Sequence, residues 1–132
     1  MRKDLYSPGS IRVAETPQQF LERIFCELPH IEGLFLIASR GEIVAHAANE
    51  GQSWEKLPAL TEEFLRFAAD AAHAVRQGAA QYLLLKNEGG YMMILVLERG
   101  YILVVLGRDH IRPDVIKYST DWIASKLSLL LP

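Results

Sequence analysis

QYLLLKNEGGYMMILVLERGYILVVLG, residues 81–107, holds three apolar runs set apart by turns. Tyr82 to Leu85 gives way to Asn87-Glu88-Gly89-Gly90, Tyr91 to Leu97 gives way to Glu98-Arg99-Gly100, and Tyr101 to Leu106 ends at Gly107. Short apolar runs bounded by glycine-bearing turns read as three strands of an antiparallel meander. The runs are apolar at successive positions rather than at alternate ones, which predicts a sheet covered by helices on both faces.

Working outward, a helix is signalled from Ala59 to Gln77 by Leu60, Phe64, Phe67, Ala68, Ala71 and Val75, with Gly78 as its expected C-cap. Its other side carries Leu65, Ala69 and Ala72, a small-residue seam that a second helix could approach closely. Further upstream, Gly33 precedes the apolar run Leu34 to Ala38, the turn Ser39-Arg40-Gly41-Glu42 and the run Ile43 to Ala47, the pattern of a hairpin. The connection from Ala48 to Pro58 is polar, and its Trp54 is expected to cover one end of the core. Thr16, Pro17 and Gln19 write a capping box for a first helix with Phe20, Leu21, Ile24, Phe25 and Leu28 inward, stopped by Pro29. At the other end Pro113 opens a last helix with Val115, Ile116, Trp122, Ile123, Leu127 and Leu130 inward. Residues 1–15, polar and carrying Ser7-Pro8-Gly9-Ser10, are expected to be a flexible leader to one domain spanning 16–132.

The strand from Gln81 to Lys86 closes one end of the meander. Unless the first hairpin joins it there, its outer edge is open, with four consecutive apolar residues and no proline. Pairing that edge with a second copy, beside an alanine-rich helix packing on its mate, points to a symmetric dimer through Leu65, Ala69, Ala72, Tyr82, Leu83 and Leu84.

Bulk composition excludes several classes. With 14 basic and 16 acidic side chains in 132 residues the net charge is −2, which gives no long-range attraction to nucleic acid or anionic membrane. The apolar runs are too short to span a bilayer and no signal-peptide stretch opens the chain, so no membrane insertion and a cytoplasmic site are expected. Cys26 is the single cysteine, which suits a reducing compartment, and is read as a small packing residue of the first helix. His30, His46, His73 and His110 fall in four different elements without metal-ligand spacing, and the serines lack a nucleophile elbow. The glycines are followed by no Lys-Ser/Thr signature of a phosphate loop. No metal, no cofactor and no catalytic residue are therefore expected. Glu62, Glu63, Arg66, Asp70, His73 and Arg76 on the second helix are the candidate partner-binding residues, and Arg108 to Arg112 is expected to be a connection with helix-capping duties.

The run Gly33 to Ala45 with its Arg40-Gly41 tip, the alanine-rich second helix, and Tyr101 to Leu106 before a closing helix resemble the Roadblock/dynein light chain family, including its bacterial gliding-motility type. The resemblance covers Thr16 to Leu131, and the leader and the Ala48 to Pro58 connection depart from the minimal pattern. It implies an α+β, profilin-like αββαβββα sandwich whose antiparallel sheet runs in the order second, first, fifth, fourth, third strand. The second helix would lie on one face and the first and third on the other. It also implies a non-enzymatic homodimer that binds a small Ras-like GTPase and scaffolds it or stimulates its hydrolysis, with no arginine finger required. The alternatives are a small-molecule sensor of profilin-like fold and a dynein-type cargo scaffold.

Overall fold

The capping box at Thr16 forms: Thr16 Oγ1 accepts from the Gln19 amide at 3.1 Å, and Gln19 Oε1 accepts from the Thr16 amide at 3.0 Å. The helix it starts, α1 (Pro17–Glu27), buries Phe20, Leu21 and Ile24 at i, i+1 and i+4, one face of a 3.6-residue period. The computed structural model describes residues 15–132, so most of the expected leader lies outside the described residues. Its last residue, Glu15, is not free, because its carboxylate pairs with Arg23 at 2.8 Å.

Five strands follow in one antiparallel sheet: β1 (Ile31–Ile37), β2 (Ile43–Ala48), then α2 (Leu57–Ala74), then β3 (Tyr82–Asn87), β4 (Gly90–Val96) and β5 (Ile102–Arg108), closed by α3 (Pro113–Leu127). The order across the sheet is β2-β1-β5-β4-β3, so the first hairpin joins the meander at β5 and leaves β3 at an edge. Strand β1 begins at Ile31, three residues before the expected start at Leu34. Gly33 does not precede the strand but lies in it, at a position that favours glycine because a Cβ there would press on the Phe35 ring at 3.0 Å and on Leu106 at 3.2 Å. The ladder to β5 shifts register at that point.

The sheet buries both faces, as its unbroken apolar runs require. On one side Phe20 and Ile24 of α1 and Ile116 and Ile123 of α3 pack with Leu34, Leu36, Met93, Leu103 and Val105. On the other, Phe35, Ile37 and Val104 form a smaller cluster under Leu57 and Trp54. Trp54 covers the core end as expected, with its ring centroid 4.8 Å from that of Phe35. Arrangement and class are thus those of the profilin-like αββαβββα sandwich.

Three local expectations need correction. Cys26 is exposed rather than packed, since α1 turns only its Phe20-Leu21-Ile24 side inward. Helix α2 is not capped by Gly78. It ends at Ala74 in a Schellman turn, with Arg76 at φ 61° where the left-handed residue belongs, and with the amides of Gln77 and Arg76 bonded to the carbonyls of Ala72 and His73 at 2.9 and 3.0 Å. At α3 the N-cap Arg112 makes no side-chain capping bond. Arg112 pairs with Asp114 instead, and Arg108 reaches back to the Pro29 carbonyl at 2.7 Å and to Glu32 at 3.2 Å.

Candidate functional site

Helix α2 carries more apolar surface than the sheet can cover. At 100° per residue, Leu57, Thr61, Leu65, Ala68 and Ala72 fall on one stripe, and Leu60, Phe64, Phe67, Ala71 and Val75 on the stripe beside it. The sheet takes the first: Thr61 is fully buried, and Leu57, Leu65, Ala68 and Ala72 are half-buried. The second is left largely outside, with Leu60 48%, Phe67 73% and Val75 61% exposed. The sequence pattern places Leu60, Phe64, Phe67, Ala68, Ala71 and Val75 inward and Leu65, Ala69 and Ala72 outward. Phe64 and Ala68 are half-buried and Ala69 is exposed, in line with it, but Leu60, Phe67, Ala71 and Val75 are exposed while Leu65 and Ala72 are half-buried, because Thr61, a polar residue the pattern passes over, sits at the centre of the buried stripe.

The charged residues take the remaining side. Glu62, Glu63, Arg66, Asp70 and His73 are all exposed and share the helix face opposite the apolar arc, so the structure brings five of the six candidate partner-binding residues together. Arg76, also exposed, lies past the helix end in the Schellman turn. Of the candidate interface residues on α2, Ala69 is exposed at the margin of the charged face, and Leu65 and Ala72 are half-buried on the stripe that carries Leu57 and Thr61.

Strand β3 presents the other half of the surface. Its two-residue turn to β4 makes Asn87 and Gly90 a hydrogen-bonded pair, so by antiparallel alternation Leu85 and Leu83 bond inward to β4. The amides and carbonyls of Tyr82, Leu84 and Lys86 therefore point away from the sheet. Leu84 packs its side chain on the main core, Leu83 looks to the α2 side, and Tyr82, 43% exposed, lies under the Lys117 ammonium at 4.7 Å. An exposed apolar helix stripe and an open strand edge, on consecutive elements, can bury one another against a second chain.

The concave parts of the surface are shallower. A groove of about 360 Å³ between α1 and β2 is lined by Glu22, Phe25, Cys26, His46 and Glu50, and one of about 320 Å³ by Ser39, Arg40, Glu55 and Glu62. Among the described residues no three His, Cys, Asp or Glu side chains converge as metal ligands. No helix among them is long and apolar enough to cross a membrane. Asp109 and His110 sit 3.6 Å apart on an exposed turn. Among the contacts that no local pattern announces is that between His30 and Ser119, 89 positions apart.

Neither a family model nor a curated protein matches the chain. Solved structures do. The chain superposes on MglB of Myxococcus xanthus with a TM-score of 0.76 at 11% identity, covering 90% of this chain and 97% of that one. It is similar to the gliding protein MglB of Thermus thermophilus at a TM-score of 0.73 and 16% identity, over 92% of this chain and 93% of that one. A Roadblock/LC7 domain from Streptomyces avermitilis gives 0.72 at 13% identity, over 84% and 93%. The fold of this chain is the Roadblock/LC7 fold.

Proposed function

We propose that this chain is a non-enzymatic regulator of Roadblock type, a homodimer that binds a small Ras-like GTPase and scaffolds it or speeds its GTP hydrolysis. The observation that carries the reading is the unmatched apolar stripe of α2 beside the open edge of β3. A Phe side chain fully buried contributes about 1.5–3 kcal/mol relative to leaving it in water, so Phe67 alone is a strong reason for self-association. The likeness of fold to gliding proteins MglB supports the same class of function.

In such a dimer the two charged faces of α2 remain in solvent and lie side by side. Glu62, Glu63, Arg66, Asp70, His73 and Arg76 of each copy then offer a polar surface of both signs, suited to a folded protein partner rather than to a polyanion. In this reading the chain need supply no catalytic group of its own. Any stimulation of hydrolysis acts by repositioning the groups of the GTPase.

The test has two stages. Sedimentation equilibrium gives the mass of the full chain in solution. The immobilised protein is then exposed to native lysate containing GDP or a non-hydrolysable GTP analogue, and a retained GTPase is purified and titrated calorimetrically against the wild type and a Glu63, Arg66, Asp70 charge-reversal variant. The proposal expects a dimer, nucleotide-dependent retention, and at least tenfold weaker binding by the variant. A monomer, or binding that survives the charge reversal, overturns the dimer or the assigned face respectively.

A further inference from the structure

An open five-stranded sheet has two edges, and here they are treated differently. At β2 the outward amide of His46 donates to Gln18 Oε1 at 2.8 Å, and its outward carbonyl accepts from Gln18 Nε2 at 2.7 Å. The side-chain amide thus offers the acceptor and donor that one residue of an added strand would offer. The second Nε2 proton goes to Glu22 Oε2 at 2.8 Å, which fixes the amide's orientation, since a flipped amide would set its NH₂ against the His46 N–H. His46 is itself held in register by its ring, stacked on Phe35 at 6.0 Å with 4° between planes. Gln18 lies on the first turn of α1, whose start is fixed by the Thr16 capping box.

The β3 edge has no such plug among the described residues. Were both edges open, β3 of one copy could add to β2 of the next. Such head-to-tail pairing has no two-fold stop and grows into rings or fibres of more than two copies, whereas β3 on β3 is two-fold symmetric and stops at two. We propose that Gln18, oriented by Glu22, blocks the β2 edge against the β3 strand of a second copy of this chain and so confines self-association to the β3 side. The closed species in this scheme rests on the dimer reading above, but the blocking of β2 does not.

Sedimentation velocity of the full chain over a concentration series tests this with Gln18→Ala, Gln18→Glu and the pair Gln18→Ala/Lys86→Pro. Glutamate keeps an acceptor for the His46 amide, loses the donor to its carbonyl and adds a charge beside Glu22. Proline at 86 removes an outward N–H of β3, a change that edge strands tolerate. The expected result is a wild type of fixed size, growth of Gln18→Ala and Gln18→Glu into larger species as concentration rises, and reversal of that growth by Lys86→Pro. Natively folded Gln18 variants that keep the wild-type size overturn the proposal, and so does growth that Lys86→Pro leaves untouched. Hydrogen exchange of the wild type provides a readout independent of any variant and of the β3 side: the His46 amide is expected to exchange at least tenfold more slowly than the amide of Ala48, which faces outward on the same strand in the same pairing phase, and equal rates overturn the plug. A monomeric wild type that polymerises on loss of Gln18 would uphold the plug and refute the dimer.

Discussion

His30 Nε2 lies 2.9 Å from Ser119 Oγ, joining the turn between α1 and β1 to the buried side of α3. Arg108 reinforces the same corner, donating its amide to the His30 carbonyl at 3.0 Å. Burial lowers the His30 pKa from its ordinary value, because the imidazolium loses water it cannot replace. The unfolded chain therefore takes up the proton more readily than the folded one. The His30 contribution is complete above the unfolded value of about 6.5 and is lost as pH falls below it towards the lowered folded value. The urea midpoint of the wild type is expected to drop more between pH 7.5 and pH 5 than that of His30→Gln. Parallel drops in the two proteins would refute the linkage.

Gly107 and Ile116 set the distance between β5 and α3. A Cβ on Gly107 would run into Ile116 Cδ1, and Ile116 is fully buried, so its side chain must shift within the core. Gly107→Ala is expected to destabilise by about 1–3 kcal/mol through overpacking. Ile116→Val, which deletes that methyl, costs about 0.5–1.5 kcal/mol alone. Combined, the two changes should cost less than their sum by more than about 0.5 kcal/mol, since the valine makes room for the alanine. Additive losses in chemical denaturation would mean the strain is taken up elsewhere.

The strands and helices were legible in the sequence because their signals are local. The Asn87-Glu88-Gly89-Gly90 turn, the Thr16 capping box and the apolar runs each act within a few residues, and all three form. The strand order follows from the family resemblance rather than from the residues, which left open where the first hairpin joins. The facing of α2 was not legible, because its apolar arc spans two stripes and periodicity cannot say which one the sheet takes. Thr61 decides it, and a lone threonine carries no hydrophobic signal. Gln18 and His30 were equally silent, since their partners His46 and Ser119 are distant in sequence and polar.

Phe67, 73% exposed, is the largest side chain on the uncovered stripe of α2. Phe67→Ser removes one such group from each copy, so at about 1.5–3 kcal/mol per ring the dimer is expected to dissociate on the order of 100-fold more readily or worse. The monomer fold should be unaffected, because Phe67 contributes nothing to the core. Sedimentation equilibrium with a parallel thermal melt checks both halves. An unchanged dissociation constant would remove this stripe from the interface.

Arg76 holds a left-handed backbone, φ 61°, that costs a residue with a Cβ on the order of 1 kcal/mol more than glycine. The Schellman bonds from Gln77 and Arg76 keep it there, while Gly78 two positions later takes a second left-handed turn at φ 85°. Arg76→Gly is therefore expected to raise stability by about 0.5–1 kcal/mol in urea titration. Gly78→Ala should lower it by a similar amount, through backbone strain alone, since nothing lies within 4 Å of the added methyl. Such a signature would bear on function as well as on folding. An arginine at a position that glycine suits better is explained if its guanidinium contacts a partner, so Arg76→Gly should weaken GTPase binding while strengthening the fold. A variant that gains stability and binds as well as the wild type would take Arg76 out of the binding face.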